Sequence, residues 1–451
     1  MPFTRYKKYL FFEGQDKDLN NNNIFNEIIP LGTKTNSLDY YTSNEQEWGY
    51  IPKNEIEKAL RSPILHRYYK FYLLHEDESI AEDISDMVLD SGNIQKNNQT
   101  GQVRSLNITL INEKKKVLVG YENGNGVYEE RYLWLPVPFK SKLWYYNKIK
   151  VVSCFIYEDN IYEVDEGIFV IFDPDIKNNS GKQTVSLQLY DKFALLDGTI
   201  DGKGDIEYEI PLKTPIWEAM KTLMKLPRNS LGQPYDYKEI IFPNEYRDFK
   251  TEYTIKKTGE NAIGELMKEM GLSISCDVKY DTKGNLEISN SVSDIDYHNR
   301  QIAWRFEENE YLNPTIKINR SKIKNKITVK GANINGVLCS GVAENTNPKS
   351  SYNIYSEHGI KGQIIEDNLL ASNFLCKERA RYELKKYSQN YINITLQTIY
   401  IPHIEPGDLV VWSYPEWGIE NELFIVNTVS LPLKTTNFMN LTMTNINELP
   451  I

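Results

Sequence analysis

Short segments in which apolar and polar residues alternate place the strongest constraint on what this chain can fold into. The clearest are SLNITL at residues 105–110 and VSLQL at residues 185–189. A period of two is typical of strands with one buried face. Residues 151–172 predict two or three more strands, the first turn falling at Glu158-Asp159-Asn160. Repeated short strands joined by turns predict an antiparallel barrel or sandwich.

Helical periodicity interrupts this pattern between residues 213 and 300. Thr214 is placed as the N-cap of a helix, with Pro215 at its first position. A second helix is predicted over residues 261–270, with Gly271 placed to end it. A strand, a turn and a second strand follow. A helix packed on such a hairpin predicts a small α+β module over residues 213–300.

Strand patterns return at residue 314 and are interrupted by one long helix, predicted over about residues 366–388. One side of this helix is apolar, comprising Leu369, Cys376, Ala380, Leu384 and Tyr387. The basic residues Arg379, Arg381, Lys385 and Lys386 are expected to lie largely outside. The chain is thus expected to have an N-terminal arm (1–60), a β domain (61–212), the α+β module (213–300) and a second β domain (301–451).

Composition narrows the class of protein. The 451 residues carry a net charge of −10, whereas a nucleic-acid-binding domain usually presents a basic face, so stable nucleic-acid binding is not expected. The four cysteines form no C-x-x-C pair, which excludes zinc ribbons and redox motifs. No run of 18 apolar residues is present, so no membrane-spanning helix is expected.

Motifs for catalysis or cofactor binding are absent from the sequence. There is no H-E-x-x-H zinc motif, no G-x-S-x-G nucleophile elbow and no phosphate-binding P-loop. The glycines of NGNG, residues 123–126, are typical of a hairpin turn. Asp197, Asp201 and Asp205 lie near glycines but lack the closing glutamate of a calcium loop, so a polar loop and a weak calcium site both stay open.

One segment, IPHIEPGDLVVW at residues 401–412, resembles a catalytic or metal-binding cluster because His403, Glu405 and Asp408 lie within six positions. The alternative is a type II turn with Pro406 and Gly407 at its centre. We favour the turn, with His403 and Glu405 on an exposed approach to it. We therefore assign no catalytic, cofactor-binding or metal-binding residue.

The order of these segments resembles that of a known family. It runs from SPILHRYYKFYLLHEDESIAEDIS through VRSLNITLIN and the strands of residues 143–198 to the helix-hairpin of residues 260–289. KIKNKITVKGA, ASNFLCKERARYELKKY and IPHIEPGDLVVW follow. Over about residues 61–446 the chain resembles bacteriophage tail hub proteins, which are related to the baseplate hub of contractile tails and to the hub part of type VI secretion spikes.

The resemblance implies a mainly β chain with two tail-tube-like antiparallel β-barrel domains and a small helix-hairpin module. It implies a structural virion protein at the tail tip or baseplate, assembled in the host cytoplasm. As a homotrimer it would join the hexameric tail tube or distal tail protein to a spike, fibre or tail lysin, and contact the tape measure protein. Because the chain ends at Ile451, just after the second barrel, we expect no enzymatic domain. The alternatives are a tail-tip cell-wall hydrolase and a receptor- or carbohydrate-binding module.

Overall fold

The computed structural model shows a mainly β protein, as predicted. It describes residues 54–445 except for 98–100, 113, 123–124, 133–146, 180–181, 206–207, 229–230, 243, 245–246, 252–253, 258–259, 275, 291–301, 319–322, 349, 351, 369 and 389–391. Most of the predicted N-terminal arm, up to residue 53, therefore lies outside the described residues. Within the described ranges, no helix is long and apolar enough to cross a membrane.

The first part of the chain is a run of antiparallel strands preceded by one helix, α1, Asn54–Leu60. Its strands are β1 His66–Leu74, β2 Ile80–Asp83, β3 Val88–Asn97, β4 Arg104–Ile111, β5 Lys114–Glu122, β6 Asn125–Tyr132, β7 Lys148–Tyr157, β8 Asn160–Asn179 and β9 Lys182–Asp191. Helix α1 falls where we predicted an irregular arm. Ile56, Ala59 and Leu60 are buried, because their spacing places them on one helical face.

The predicted alternation is confirmed in β4 and β9, whose apolar residues are at most 2% exposed, namely Leu106, Ile108, Leu110, Val185, Leu187 and Leu189. Residues 151–172 contribute to two strands, joined by Glu158 and Asp159 with φ of 46° and 63°. Two successive residues with positive φ make a tight hairpin turn that matches the strand twist. The predicted NGNG hairpin is also confirmed by the antiparallel pairing of β5 with β6, although residues 123–124 lie outside the described part.

Strands β10 Lys203–Asp205 and β11 Tyr208–Ile210 precede the predicted start of the module at residue 213 and pair with two of its strands, β13 Glu260–Ala262 and β12 Ile255–Lys257 respectively. Besides these two strands, the module itself contains α2 Ile216–Met224, α3 Ile263–Ser273, β14 Cys276–Tyr280 and β15 Leu286–Asn290. Its apolar core includes Met220, Met267 and Val278. The predicted packing of a helix on a hairpin is therefore present.

Two details of the predicted module helices are wrong. Thr214 does not cap α2, because its hydroxyl donates to Pro211 O at 2.7 Å and Pro215 occupies the N-cap position. Gly271 does not end α3, which continues to Ser273. A Cβ at Gly271 would lie 2.4 Å from Val278 Cγ2, so this glycine permits close packing of α3 on β14.

The last part of the chain contains β16 Ile302–Arg305, β17 Tyr311–Ile318, β18 Lys326–Ile334, β19 Val337–Glu344, β20 Gly362–Glu366, α4 Asn373–Ser388, β21 Ile392–Thr398, β22 Leu409–Tyr414, β23 Ile419–Pro432 and β24 Met439–Asn445. Helix α4 packs on the sheet β19-β18-β20 through Cys376, Ala380 and Leu384.

The prediction for the long helix was wrong in two respects: it placed the start of the helix too early, and it placed too many of its basic residues outside. Residues 362–366 form β20, which pairs in parallel with β18, so α4 begins only at Asn373. Arg379 and Lys385 are 7% and 8% exposed rather than outside. Arg379 is buried because Glu383 accepts from its guanidinium at 2.8 Å. Leu369 lies outside the described residues.

A single 13-stranded sheet joins the first and last parts of the chain. Strand β23 makes the connection, because its first half pairs with β22, its C-terminal end pairs with β3, and its residues 424–430 pair with β24. One apolar core lies against this sheet and includes residues from both parts, such as Leu106, Phe169, Trp304 and Trp412. The two β parts are therefore packed as one body.

Candidate functional site

The segment 401–412 forms the turn that the sequence predicted. Asp408 N–H donates to Glu405 O at 3.1 Å, and Gly407 at the third position has φ of 99°. Asp408 also accepts the Glu405 N–H at 2.8 Å. Gly407 N–H donates to Val426 O at 2.8 Å, which fixes the turn to β23. Asp408 thus serves the turn rather than a reaction.

The predicted exposure of His403 and Glu405 is wrong. His403 is 5% exposed and packs against the Trp304 ring at 5.7 Å between centroids. Burial lowers the pKa of His403 to about 4, so the ring is neutral at physiological pH. The Glu405 side chain, 17% exposed, forms ion pairs with Lys96 and Arg104. These partners come from strands about 300 residues earlier in the sequence, so the local pattern gave no sign of them.

Because His403 is buried, its replacement by alanine is not neutral. We expect His403→Ala to lower the free energy of unfolding by roughly 1–3 kcal/mol, through lost packing against Trp304. Urea denaturation measures the change. His75→Ala, at an exposed position, should change stability by less than about 0.5 kcal/mol. Equal stability of the two variants would contradict the buried placement.

The turn itself depends on Gly407. A Cβ-branched side chain disfavours a φ of 99°, so Gly407→Val should cost roughly 1–3 kcal/mol. Gly362→Val is the matched control, because the nearest atom to its added Cβ, Lys326 O, is 3.9 Å away. Thermal unfolding of both variants separates backbone strain from a general effect of valine.

Glu405 belongs to a buried group of four charges, which we name the Lys96 cluster: Lys96, Arg104, Glu166 and Glu405. Lys96 Nζ lies 2.7 Å from Glu166 and 2.6 Å from Glu405. Arg104 Nη2 donates to Glu405 at 2.7 Å. Lys96 and Glu166 are fully buried, and the cluster combines two basic with two acidic side chains. The cluster therefore connects β3, β4 and β8 with the turn of the last part.

The charges within this cluster stabilise each other. Burial alone would lower the pKa of Lys96, but Glu166 and Glu405 hold that pKa above its usual value. Burial would likewise raise the pKa of Glu405, and the charges of Arg104 and Lys96 outweigh it, so that pKa is lowered. Lys96 and Glu405 thus both remain ionised, whereas burial outweighs the effect of Lys96 on Glu166 and raises the pKa of that carboxyl. The Glu405 carboxylate, paired with two cations, is poorly suited to general acid–base catalysis, which needs a pKa near the working pH.

A second group, the Lys192 cluster, connects the first β part with the module and comprises Lys192, Glu78, Lys148, Asp236 and Lys238. Lys192 Nζ lies 2.5 Å from Glu78 and 2.7 Å from Asp236. Glu78 also pairs with Lys148 and Lys238, each at 2.8 Å. Lys192 is fully buried, so its charge depends on these two carboxylates.

Tyr280, the last residue of β14, contacts both clusters. Its carbonyl oxygen accepts from Arg104 Nη1 at 2.5 Å, and its hydroxyl donates to Asp236 at 2.7 Å. The Lys192 ammonium lies 5.1 Å from the centre of its ring. Tyr280 thus joins the module to both groups of charged residues. This arrangement fixes the relative positions of three chain segments.

The Lys192 cluster predicts acid sensitivity. Burial would raise the pKa of Glu78, yet Lys192 and Lys148 lower it from 4.5 to about 2. The stabilisation is complete above pH 4.5 and is lost as the pH falls toward 2, and it amounts to roughly 3 kcal/mol. Urea unfolding between pH 6 and pH 3 should show this loss. In Glu78→Gln the free energy of unfolding should depend less on pH over this range. Glu76→Gln should keep the pH dependence of the wild type, because the Glu76 side chain is half exposed.

The remaining sequence candidates are the aspartates of residues 197–205. Asp197 and Asp201 each accept a neighbouring backbone N–H, from Thr199 and Gly202. The side chain of Asp205 lies outside the described part, so a polar loop and a weak calcium site both stay open. Among the described residues, no group of three or more His, Cys, Asp or Glu could hold a metal ion.

The cluster residues from the first part were missed by the motif search, although the sequence carries a signal for them. Lys96 follows Ile94 with a period of two, and Arg104 precedes Leu106 in the same way. Both therefore occupy positions where the strand pattern expects a buried apolar residue. A charge at such a position indicates a buried partner, but not which one.

Comparison with known proteins finds similar structures but no protein of similar sequence. No protein-family model matches the chain, and no curated protein is significantly similar to it. A tail protein from Neisseria meningitidis MC58 aligns with a TM-score of 0.53 and 10% identity, over 85% of this chain and 98% of its own. The 43 kDa tail protein of prophage MuSo2 from Shewanella oneidensis gives 0.52 and 11%, over 84% and 98%.

The prophage tail protein gp18 from Listeria monocytogenes EGD-e aligns with a TM-score of 0.47 and 14% identity, over 83% of this chain and 94% of its own. The alignments with the Neisseria and Shewanella proteins cover 98% of each of those two proteins. The chain therefore has the fold of phage tail proteins, as its resemblance to tail hub proteins implied.

Proposed function

We propose that this chain is a non-catalytic tail hub, a homotrimer that joins the hexameric tail tube to a distal spike, fibre or lysin. The observation that carries the proposal is the fold, which matches two phage tail proteins over 98% of each. In this proposal residues 61–212 and 301–451 are two tube-like barrels, 213–300 is a peripheral module and 1–60 is an arm. Three chains would present six barrels to the tube.

The packing of the two β parts supports an adaptor role. One sheet and one apolar core run through both, so the relative orientation of the proposed barrels is fixed within each chain. A ring that matches a hexameric tube needs this rigidity, because independent barrels would lose orientational entropy on assembly. The buried charge clusters hold the module to the same body.

The proposed location is the tail tip or baseplate of the virion, after assembly in the host cytoplasm. The partners are the tail tube or distal tail protein, the tape measure protein and a spike, fibre or lysin. The net charge of −10 supports the absence of stable nucleic-acid binding, because like charge repels phosphates passing through a central pore.

The solution mass of the purified chain, followed by imaging, tests this proposal. A ring of three 52.5 kDa chains with an open centre is expected. A stable monomer that also fails to bind tube or spike proteins would contradict it. Zymography on peptidoglycan tests the absence of catalysis, since lysis by the chain alone would indicate a hydrolase. Specific binding on a glycan array would instead indicate a receptor-binding module.

A further inference from the structure

Strand β17 is an edge of the 13-stranded sheet, and its apolar side chains are exposed. In the described part of the chain β17 pairs only with β21, so one side of its backbone faces no strand. Leu312, Ile316 and Ile318 are 47%, 40% and 50% exposed. Natural edge strands usually avoid long apolar stretches because these promote pairing with other chains.

The exposed isoleucines continue a row of buried core residues. Val426 on β23 lies opposite Met443 on β24, which lies opposite Ile394 on β21, and all three are fully buried. Ile394 lies opposite Ile316, the next member of the row on β17. Ile318 extends the same face. The row of core residues therefore ends at Ile316 and Ile318, which are exposed, whereas the other members of the row are buried.

Protection of this edge is confined to its first half. A bulge falls between Leu312 and Thr315, and Pro314 within it has no N–H to offer a neighbour. Beyond the bulge, residues 315–318 continue as a regular strand. This second half carries one charge, Lys317. It remains able to pair with a further strand.

The opposite end of the same sheet is a complementary edge. Strand β2 pairs only with β1 among the described strands. Its sequence, IAED, combines the 58% exposed Ile80 with Glu82 and Asp83. A register shift at Ala81 places Ile80 and Glu82 on opposite faces of the strand. The edge at β2 is therefore apolar and acidic, and the edge at β17 is apolar and basic. Each chain thus carries two edges that are complementary in charge. Two different, complementary edges give a head-to-tail contact, which closes into a ring when the rotation allows it.

We propose that β17 of one copy pairs with β2 of the next copy, so that the sheet continues from chain to chain around the ring. The proposal rests on the proposed trimer and names its interface. Ile316 and Ile318 would contact Ile80 of the neighbouring copy, with Lys317 on the opposite face beside its Glu82. The pairing would cover the end of the core row and occupy both open edges.

Charge insertion at the edge tests the interface. Ile316→Lys and Ile318→Lys should each weaken trimer association at least about tenfold, measured by light scattering over a dilution series. Because both positions are exposed in the single chain, the thermal unfolding of the monomer should be unchanged. Val337→Lys and Ile360→Lys, at positions 68% and 63% exposed and away from the edge, should leave association intact.

Cross-linking tests the pairing directly. The four native cysteines are at most 9% exposed, so introduced cysteines are the main reactive sites. A Thr315→Cys, Ala81→Cys variant treated with a short bis-maleimide should give dimer and trimer bands on a denaturing gel. Val337→Cys, Ala81→Cys is the control and should give monomer bands.

The outcomes separate this inference from the proposed function. A trimeric wild type with unaffected lysine variants and monomer-only cross-linking would overturn the β17–β2 interface and leave the hub intact. Lysine variants that lose thermal stability at constant mass would indicate that another segment of the same chain covers the edge, which also overturns it. A wild type that stays monomeric alone and with tube and spike proteins would remove the hub, and the interface with it.

Discussion

Replacement of Lys96 by methionine should destabilise the protein by about 3–5 kcal/mol. Methionine has nearly the volume of lysine but no charge, so Glu166 would lose its cationic partner while remaining fully buried. Ser153 would still donate a hydrogen bond to Glu166, but a neutral hydroxyl does not balance the charge. Glu405 would keep Arg104. Urea denaturation of the variant and the wild type measures the difference.

An exposed ion pair provides the matched control for this change. Lys330 pairs with Glu366 at 3.2 Å, and the two side chains are 39% and 71% exposed. Lys330→Met should therefore cost less than about 1 kcal/mol. The double variant Lys96→Met, Glu166→Gln should recover part of the loss, because it removes the unpaired charge. Equal effects of Lys96→Met and Lys330→Met would contradict a buried cluster.

The strand architecture was predictable because it depends on local periodicity. Leu106, Ile108 and Leu110 are buried where the alternation placed them, and the turn at Gly407 has the positive φ that its sequence indicated. Both features are set by neighbouring residues, which a sequence shows directly. The start of α4 was not predictable in this way, because residues 362–366 form a strand through their pairing with β18.

The charge clusters could be predicted only in part, for a different reason. The strand pattern marks Lys96 and Arg104 as charges on buried faces, and the turn motif drew attention to Glu405. Their pairing depends on which strands β23 brings together, which is a long-range property of the sheet. For the same reason the predicted exposure of His403 was wrong: the ring packs against Trp304, which lies about 100 residues away in the sequence.

Replacement of Lys192 by methionine should also lower the free energy of unfolding by about 3–5 kcal/mol. The loss of local stability should be larger in the module than in the sheet. Asp236 would lose its ammonium partner and keep the Tyr280 hydroxyl, whereas Glu78 would keep Lys148 and Lys238. The unpaired charge therefore remains on the module side. Hydrogen exchange should accelerate most in residues 213–290, because local opening of the module exposes Asp236 to water.

Strands β3, β4 and β9 serve as the internal reference for the Lys192 variant. They retain the Lys96 cluster and the shared apolar core, so their protection should fall less than that of α2, α3 and β14. Lys221→Met, which removes an exposed pair with Glu239, should leave both regions unchanged. A uniform loss of protection would instead mean that the module and the sheet unfold as one unit. In that case Lys192 would stabilise the whole body rather than the attachment of the module.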